Sequence, residues 1–438
     1  MSLPKAFPDQ GIFKNLKIFQ LDPIGYMEKA IRKGGSPVDL HLPMGDFVLL
    51  NDPNQFSEVF LNERENYQKS RGYKEIAHVL GNGLLTAEGE EWHLQRKMLQ
   101  PSFHKTELRK LIPAIWHTGE HYLESIKNGQ SLRLDTEMSG LTLTVLMNSL
   151  IHYQHEELIQ KMGQHIVFSQ EFIVNRIRTP FKWPLWIPTR DNKGYHQMMR
   201  ETNELIQQCV DSRKADPNKI EDILTVLMEQ YDPEREFVQI RNQLLTLLIA
   251  GHETSAIALT WTMHLLGHHP EIQRKVFEEV KKIQALADID LMNYTGLEYT
   301  HKVIKESLRY YPPIWNVVRR AIKPHRVGGF EIQKGKQLML NVYLLHRNEQ
   351  YWERPEVFDP ERFTHEKMRE FHKFQYLPFG GGGRFCIGNN FAMYEILLLL
   401  TQFVRSFEIK SLSPEKVPFN PLLTLRPKET IEVKLIKR

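Results

Sequence analysis

The sequence predicts a mainly helical protein with small β-sheets, because two kinds of spacing recur along it. In the middle of the chain, apolar residues lie three or four positions apart, as they do in amphipathic helices. Shorter strand-like pieces stand near the start and through the last third. No internal repeat or long flexible linker separates these segments, so we expect residues 1–438 to form a single domain. The predicted helices are Glu107–Trp116, Glu120–Ile126, Leu141–Ile151, Tyr195–Arg213 and Ile220–Tyr231, and the predicted strands are Gly45–Leu50, Gly328–Ile332, Gln337–Asn341 and Thr430–Ile436.

One predicted helix, Gln239–Gly267, is unusually long and has an irregular centre that reads A-G-H-E-T-S over Ala250–Ser255. A glycine inside a helix costs about 1 kcal/mol relative to alanine, and neighbouring hydroxyls compete for the backbone carbonyls. This irregularity suggests a ligand against the helix; a glycine that lets another helix cross is the alternative. The pair His252-Glu253 resembles the start of a zinc-protease H-E-x-x-H motif, but Ala256 in the fifth position excludes that interpretation.

The second notable segment is Phe379–Gly388, which reads F-G-G-G-G-R-F-C-I-G. Glycines let the backbone turn tightly around a sulfur and direct N–H groups toward it. Arg384 adds a fixed positive charge, and the predicted helix Asn389–Phe403 follows directly, so its dipole favours a thiolate. We therefore expect a lowered pKa for Cys386 and a role as ligand of a soft metal, an inert buried cysteine being the alternative.

The overall composition excludes several other classes of protein. Hydrophobic residues make up 41% of the 438 residues, which is usual for a soluble globular protein with a large core. The net charge of +4 and the lack of a Lys/Arg block do not favour nucleic-acid binding. Two cysteines exclude a disulfide framework. The N-terminus lacks the apolar region of a signal peptide, and apolar stretches such as Leu244–Ala250 are too short for a membrane span. We expect a cytoplasmic protein without a membrane anchor.

Five motifs together resemble those of the cytochrome P-450 superfamily of haem-thiolate monooxygenases, in its soluble bacterial form. Phe379–Gly388 matches F-x-x-G-x-R-x-C-x-G, and Ala250–Thr254 matches A-G-x-[DE]-T. Glu306–Arg309 matches E-x-x-R, Pro360–Phe363 matches P-E-R-F, and Trp92–Arg96 matches W-x-x-x-R. All five occur in the order of that family. The resemblance implies a helix-rich triangular prism that holds the haem between the long central helix and the cysteine loop.

The resemblance also implies a cofactor, haem b (iron protoporphyrin IX), and the residues that hold it. Cys386 would be the axial thiolate, the ligand that favours cleavage of the O–O bond in this family. Trp92, Arg96, Arg319 and Arg384 would bind the haem propionates, since arginine fits the geometry of a carboxylate. A buried ion cluster of Glu306, Arg309 and Arg362 would stabilise the fold behind the haem. The implied cofactor-binding residues are Trp92, Arg96, Ala250, Arg319, Phe379, Gly380, Arg384, Cys386 and Gly388.

The resemblance places three catalytic residues on the long helix. Thr254 would face the side of the haem where oxygen is activated, with Glu253 beside it in the path of proton delivery. Gly251 would open the helix so that O2 and water fit. For Glu253 a plain salt bridge within the helix is the alternative interpretation. The implied activity is insertion of one oxygen atom of O2 into a C–H bond of a small organic substrate.

Electrons would come from a separate ferredoxin or flavodoxin with an NAD(P)H-dependent reductase, because Asn389–Arg438 is too short to hold a fused reductase. The basic residues Lys97, Lys373 and Arg384 would face an acidic partner. A peroxide-driven peroxygenase and a non-catalytic haem-binding protein are the alternative functions.

The sequence leaves the substrate open. By family position, the pocket would combine apolar residues with cationic, aromatic and amide groups. The apolar members suit a lipophile, whereas a Trp and an Asn also suit a polar methoxylated molecule such as a methyl sugar, whose oxidation would end as O-demethylation. The implied substrate-binding residues are Arg71, Tyr73, Leu247, Ala250, Trp315, Asn316 and Leu423.

Overall fold

The structure is a computed structural model that describes residues 3–7, 12–42, 45–179, 182–216, 220–283, 285–289 and 295–438. Its α-helices are α1 (Ile12–Leu21), α2 (Pro23–Gly34), α3 (Pro53–Leu61), α4 (Glu63–Asn66), α5 (Tyr73–Leu80), α6 (Gly89–Leu99), α7 (Lys105–Glu124), α8 (Leu134–Leu150), α9 (Glu156–Arg178), α10 (Arg190–Ala215), α11 (Ile223–Gln230), α12 (Phe237–His268), α13 (Pro270–Val280), α14 (Glu298–Tyr310), α15 (Val342–Leu345), α16 (His365–Glu370) and α17 (Asn389–Ser406).

The strands are short, and they form small sheets. A five-stranded sheet has the order β1-β2-β8-β5-β3, with β2 and β8 parallel and the other pairs antiparallel. A three-stranded sheet has the order β4-β12-β9, and β6–β7 and β10–β11 are hairpins. The strands are β1 (Val38–Leu42), β2 (Gly45–Leu50), β3 (Tyr67–Lys69), β4 (Ser131–Arg133), β5 (Asn316–Ala321), β6 (His325–Val327), β7 (Phe330–Ile332), β8 (Gln337–Asn341), β9 (Phe407–Ser411), β10 (Phe419–Pro421), β11 (Leu425–Pro427) and β12 (Glu432–Lys437).

Helix α12 is the axis of the largest hydrophobic core, and it extends slightly beyond the predicted Gln239–Gly267. It ends at His268 because Pro270 begins the next helix. Helices α8 and α17 pack against it. Among the described residues, α12 is the one helix long and apolar enough to cross a membrane, and most of its apolar stretch is buried inside the fold.

Gly251 lies where α8 crosses the middle of α12. A Cβ atom at this position would come within 2.5 Å of Leu146 Cδ1. The close approach of α8 therefore accounts for a glycine here, which is the packing interpretation of the irregular helix centre. Carbon atoms in contact normally stay about 3.5–4.0 Å apart, so a side chain at Gly251 requires Leu146 to move.

The prediction of two helices over residues 107–126 was wrong, because the structure has one continuous helix, α7 (Lys105–Glu124). Gly119 lies between the two predicted segments. A Cβ atom at Gly119 would come within 2.0 Å of Gln402 Oε1 in α17, so this glycine allows a close helix contact and does not end the helix. Pro113 is also accommodated inside α7.

An ion cluster joins α14 to the loops that precede the cysteine segment. Arg309 donates two hydrogen bonds to Glu306, at 2.7 Å from Nε and 2.8 Å from Nη2, and both side chains are fully buried. Arg362 Nε donates to the same carboxylate at 3.3 Å, as does the backbone N–H of Asp359 at 2.9 Å. Arg309 also donates to the carbonyl of His346 at 2.8 Å. Two cations therefore compensate one buried acid, and backbone groups complete their hydrogen bonds.

We predict that Glu306→Gln lowers the free energy of unfolding by about 3–5 kcal/mol, because it leaves two buried guanidinium groups without their anion. Chemical denaturation followed by circular dichroism measures this change. Glu361→Gln is the matched control, since Glu361 forms a partly exposed ion pair with Lys302 at 3.0 Å, a kind worth about 0–1 kcal/mol. Equal effects of the two substitutions would contradict the assigned role of Glu306.

Candidate functional site

The loop before α17 has a backbone that only glycines allow. Gly380 and Gly382 have φ values of +73° and +67°, in the left-handed region that disfavours side chains. At Gly382 a Cβ atom would also come within 2.3 Å of the carbonyl oxygen of Phe60. The loop is closed by a hydrogen bond of 3.0 Å from the N–H of Cys386 to the carbonyl of Phe379. The glycines thus hold Cys386 in a tight turn.

The side chain of Cys386 is exposed to solvent, although protein atoms surround it closely. The expected lowering of its pKa was wrong for the protein alone: burial raises the pKa of this thiol, while the N–H of Gly388 and the charge of Arg96 act in the opposite direction. Burial is the larger effect because it removes water that would solvate a thiolate. A cation bonded directly to sulfur removes this penalty, since a coordinating thiol is deprotonated by the metal.

A stripe of accessible surface marks the middle of the otherwise buried helix α12. Leu247, Gly251 and Thr254 are partly accessible and Ala250 is exposed, whereas residues 242–246 and 255–266 are buried. These four residues are spaced at i, i+3, i+4 and i+7, which is one face of a helix. Because the helix is buried before and after them, the stripe marks an open space beside the middle of α12.

Arg384 lies against the start of α6. It forms an ion pair of 2.7 Å with Glu88 and donates to the carbonyl of Ala87 at 3.2 Å. Its guanidinium carbon also lies 4.6 Å from the ring centre of Trp92. Two of the predicted propionate-binding residues, Arg384 and Trp92, therefore lie together.

The other two predicted propionate cations lie in different settings. Arg96 in α6 donates to the carbonyl of Phe385 at 2.9 Å, so it contacts the cysteine loop directly. Arg319 belongs to β5 and is 5% exposed. Helix α6 therefore supplies both a charge and a hydrogen bond to the loop that carries Cys386.

The donor set around Cys386 fits a haem-thiolate cofactor. It combines an accessible sulfur, an N–H directed toward that sulfur from Gly388, and the guanidinium groups of Arg96 and Arg384 at the edge of the loop. A metal-bound thiolate is stabilised by an N–H that donates to its sulfur. The carboxylates of a macrocycle are bound by nearby arginines. Among the described residues, no group of three or more His, Cys, Asp or Glu side chains offers an alternative metal site.

Glu253 lies in a network that the sequence analysis missed. Its carboxylate is 4% exposed and is bound by Arg426 of β11, by Gln170 of α9 and by the hydroxyl of Thr424, the last at 2.6 Å. Arg426 also donates to the amide oxygen of Gln170, so the three side chains close a ring of hydrogen bonds. A salt bridge was the alternative interpretation of Glu253, but its partner comes from another element and not from the same helix. No motif marks Arg426, Gln170 or Thr424.

His252 points away from the stripe. Its Nε2 lies 2.9 Å from the hydroxyl of Ser139, and its backbone carbonyl accepts a hydrogen bond of 3.0 Å from Thr142 in α8. Burial, helped by the charge of Arg426, lowers the pKa of His252 to about 3. This imidazole is therefore neutral at physiological pH and contributes to packing between α12 and α8.

Two of the predicted substrate residues, Trp315 and Asn316, lie side by side at the start of β5. Trp315 is 7% exposed and its indole N–H donates to the carbonyl of Leu422 at 3.1 Å, which leaves little of the ring for a ligand. Asn316 is only partly buried, and its Oδ1 atom is buried without a hydrogen-bond partner among the described residues. Asn316 therefore offers an acceptor that Trp315 does not.

The remaining substrate candidates lie near α5 and β11. Arg71 is exposed and precedes α5, whose first residue is the partly buried Tyr73. Leu423 is partly buried and packs against the main core beside β11. Helix α5 is joined to α9 by an ion pair of 2.7 Å between Glu75 and Arg176.

Comparison with known proteins gives a consistent result over the whole chain. A family model described as Cytochrome P450 matches residues 2–435. The cyclooctat-9-en-7-ol 5-monooxygenase of Streptomyces melanosporofaciens is 28% identical over 381 residues, covering 86% of this chain and 83% of that protein. Cytochrome P450 4V2 of Homo sapiens is 30% identical over 413 residues, covering 87% of this chain and 78% of that protein.

The fold also matches a solved structure. The crystal structure of the cytochrome P450DA heme domain superposes with a TM-score of 0.82 at 24% identity, over 100% of this chain and 98% of that one. This match confirms the mainly helical fold with small sheets that the sequence predicted.

We predict that Arg426→Met destabilises the protein by about 3 kcal/mol, because it leaves the buried charge of Glu253 without its cation. The double variant Glu253→Gln/Arg426→Met is expected to recover part of this loss, since it removes the charge as well. Chemical denaturation of the two variants and of Glu253→Gln completes a double-mutant cycle. Additive effects of the two substitutions would contradict a direct coupling between Glu253 and Arg426.

Proposed function

This chain belongs to the cytochrome P450 family, and from that premise we propose that it hydroxylates a C–H bond of a lipophilic substrate of the terpenoid class. The family membership makes it a monooxygenase with a haem-thiolate cofactor. The substrate class is supported by two relatives from Streptomyces melanosporofaciens. One is the monooxygenase of cyclooctat-9-en-7-ol noted above, and the other is cyclooctatin synthase, 29% identical over 398 residues.

The observation that carries the proposal is the accessible stripe of α12. Its members Leu247, Ala250 and Gly251 present only carbon and backbone to the open space, and Thr254 adds one hydroxyl. A site lined mainly by apolar groups binds ligands by removing apolar surface from water. The stripe therefore suits an apolar ring system better than a sugar, and we rank O-demethylation of a polar methoxylated molecule second.

The residues of this chain have separable roles in the reaction. When bound, the haem supplies the activation of O2, and Cys386 is the residue that would hold its iron. Arg96 and Arg384 would bind its carboxylates. Thr254 donates its hydroxyl proton to the carbonyl of Ala250 at 2.8 Å, so its oxygen is left with lone pairs that accept a hydrogen bond. Thr254 can thereby hold a protonated donor, such as a water molecule, beside the stripe.

Proton movement from Glu253 requires its network to open. The carboxylate already accepts from Arg426, Gln170 and Thr424. A carboxylate held in this way must turn away from at least one of these donors to take up a proton from solvent, and it can then pass that proton on. We therefore assign to Glu253 the role of an acid that is held in reserve at the junction of α9, α12 and β11.

Electrons reach members of the family from redox partners. We propose a ferredoxin or flavodoxin with an NAD(P)H-dependent reductase in the cytoplasm. Lys97 and Lys373 are exposed and can attract an acidic partner, whereas Arg384 is bonded to Glu88. Reduction by such a partner should slow as salt is added, because ions screen exposed charges.

Asn316 is the residue that we expect to orient the substrate. Its unpaired Oδ1 atom can accept a hydrogen bond from a hydroxyl, the group that a terpene alcohol carries. A buried acceptor without a partner costs about 1–3 kcal/mol, so a ligand hydroxyl that satisfies it gains affinity.

We predict that Thr254→Ala diverts reducing equivalents from product to hydrogen peroxide, because the hydroxyl that orders donors beside the stripe is lost. The ratio of product to NAD(P)H consumed measures the effect, and a fall of about tenfold is expected for loss of one positioned group. Thr246→Ala is the matched control, since Thr246 makes the same bond to the carbonyl four residues earlier but lies outside the stripe.

Unchanged coupling in Thr254→Ala would remove Thr254 from the mechanism. Full activity with hydrogen peroxide and no reductase would favour the peroxygenase alternative. The ferrous carbon monoxide spectrum, with Cys386→Ser as control, reports the thiolate ligand independently of any substrate.

We predict that Asn316→Leu raises the Kd of a terpene alcohol about tenfold, and leaves that of the matching hydrocarbon nearly unchanged. The expected difference is the hydrogen bond to Oδ1, worth about 1.4 kcal/mol or a factor of ten. Titration of the haem absorption spectrum with both ligands measures the two constants. Equal changes for both ligands would show that Asn316 contributes shape alone.

A further inference from the structure

Glu395 is a buried acid that the proposed mechanism does not use. It lies in α17, the helix that follows the cysteine loop, and it is 0% exposed. Neither carboxyl oxygen has a hydrogen-bond partner among the described residues. Most buried polar groups are hydrogen-bonded, so an acid with two unpaired oxygens requires an explanation.

The polar group beside it is Ser255 of α12. Its hydroxyl lies close enough to the carboxyl to lower the pKa of Glu395, although burial outweighs this effect and raises that pKa to about 8. The Ser255 hydroxyl is buried and likewise has no hydrogen-bond partner among the described residues. Helices α12 and α17 pack together, and Ser255 is the side chain that acts on the carboxyl of Glu395 across their contact.

The surroundings of Glu395 favour its neutral form. An ionised carboxylate without a cation is costly to bury, and burial is the largest influence on this group. A neutral carboxylic acid keeps one O–H donor, and a serine hydroxyl has lone pairs that accept it. Glu253 is the opposite case, since Arg426 compensates its charge.

We propose that Glu395 is a positioning residue, a neutral acid that donates a hydrogen bond to Ser255 and so fixes the turn of α12 that carries Thr254. The bond ties the helix that follows Cys386 to the helix that carries the accessible stripe. It thereby sets the distance between the two sides of the site. This inference rests on the proposed function for its effect on coupling, but the protonation of Glu395 stands without it.

Infrared spectroscopy of the holoenzyme tests the protonation directly. The carbonyl stretch of a protonated carboxylic acid should be present at neutral pH, shift in D2O, and disappear in Glu395→Gln. It should remain in Glu253→Gln, because Glu253 is ion-paired and absorbs as a carboxylate. No difference between the wild type and Glu395→Gln in this band would overturn the proposal.

Coupling of electrons to product tests the positioning role. Glu395→Gln keeps an N–H donor for Ser255 and should retain wild-type coupling, whereas Glu395→Met keeps the volume but not the donor. We expect Glu395→Met and Ser255→Ala each to lower the ratio of product to NAD(P)H several-fold, on the order of tenfold. Wild-type coupling in Glu395→Met or in Ser255→Ala, or equal loss in Glu395→Gln and Glu395→Met, would overturn the proposal.

The two hypotheses fail in different ways. If the wild type makes no product from any terpene alcohol, the proposed substrate class is wrong while the infrared result still decides the state of Glu395. If Glu395→Met does not fold, Ser255→Ala tests the same hydrogen bond from the other side. The haem content of each variant, measured before coupling, separates a general folding defect from a local one.

Discussion

The long helix α12 imposes the constraint on which the rest of the structure depends. It must be apolar on nearly every face because other elements enclose it, yet its middle must present a space and a hydroxyl for chemistry. The fold satisfies both needs with a short irregular segment: Gly251 admits Leu146 of α8, and Ala250 and Thr254 on the same face stay accessible. Neighbouring helices such as α8 and α17 pack against α12 around this segment. The site exists because one stretch of a core helix is left uncovered.

Three buried acids show how the fold manages charge around that helix. Glu306 has two arginines and is fully buried, which makes it a fixed part of the framework. Glu253 has one arginine and two neutral donors, which come from α9 and from the segment that includes β11, so its binding can change when those two parts move. Glu395 has no paired cation among the residues that the structure describes, and burial raises its pKa to about 8. An uncompensated charge is the costliest state in a protein interior. The acid with two cations is accordingly assigned to the framework, the acid with one cation to proton movement, and the acid without a paired cation to the role of a neutral hydrogen-bond donor.

Sequence reasoning reached the fold class and the cysteine loop because both depend on local patterns. The periodicity of α12 and the glycines around Cys386 are visible in a single window of residues. The prediction of two separate helices in place of α7 was wrong. Gly119 is needed for a close contact with Gln402, a residue distant in sequence, which a local pattern does not reveal. The predicted lowering of the pKa of Cys386 was wrong for a related reason. The prediction considered the charges of the loop itself but not the burial that the whole fold imposes. Arg426, which reaches Glu253 from β11, carries no local signal at all.

The network of Glu253 explains how the substrate can influence proton supply without touching the acid. Gln170 belongs to α9 and Arg426 to β11, and both side chains meet α12 at the carboxylate of Glu253. A ligand that shifts either element lengthens a hydrogen bond to Glu253, and a carboxylate that loses one donor is freer to turn. The cysteine loop cannot provide this control, because its glycines fix it and its contacts are made with α3 and α6. Under the proposed function, selectivity and coupling therefore meet at Glu253, whose partners Gln170, Thr424 and Arg426 belong to no sequence motif.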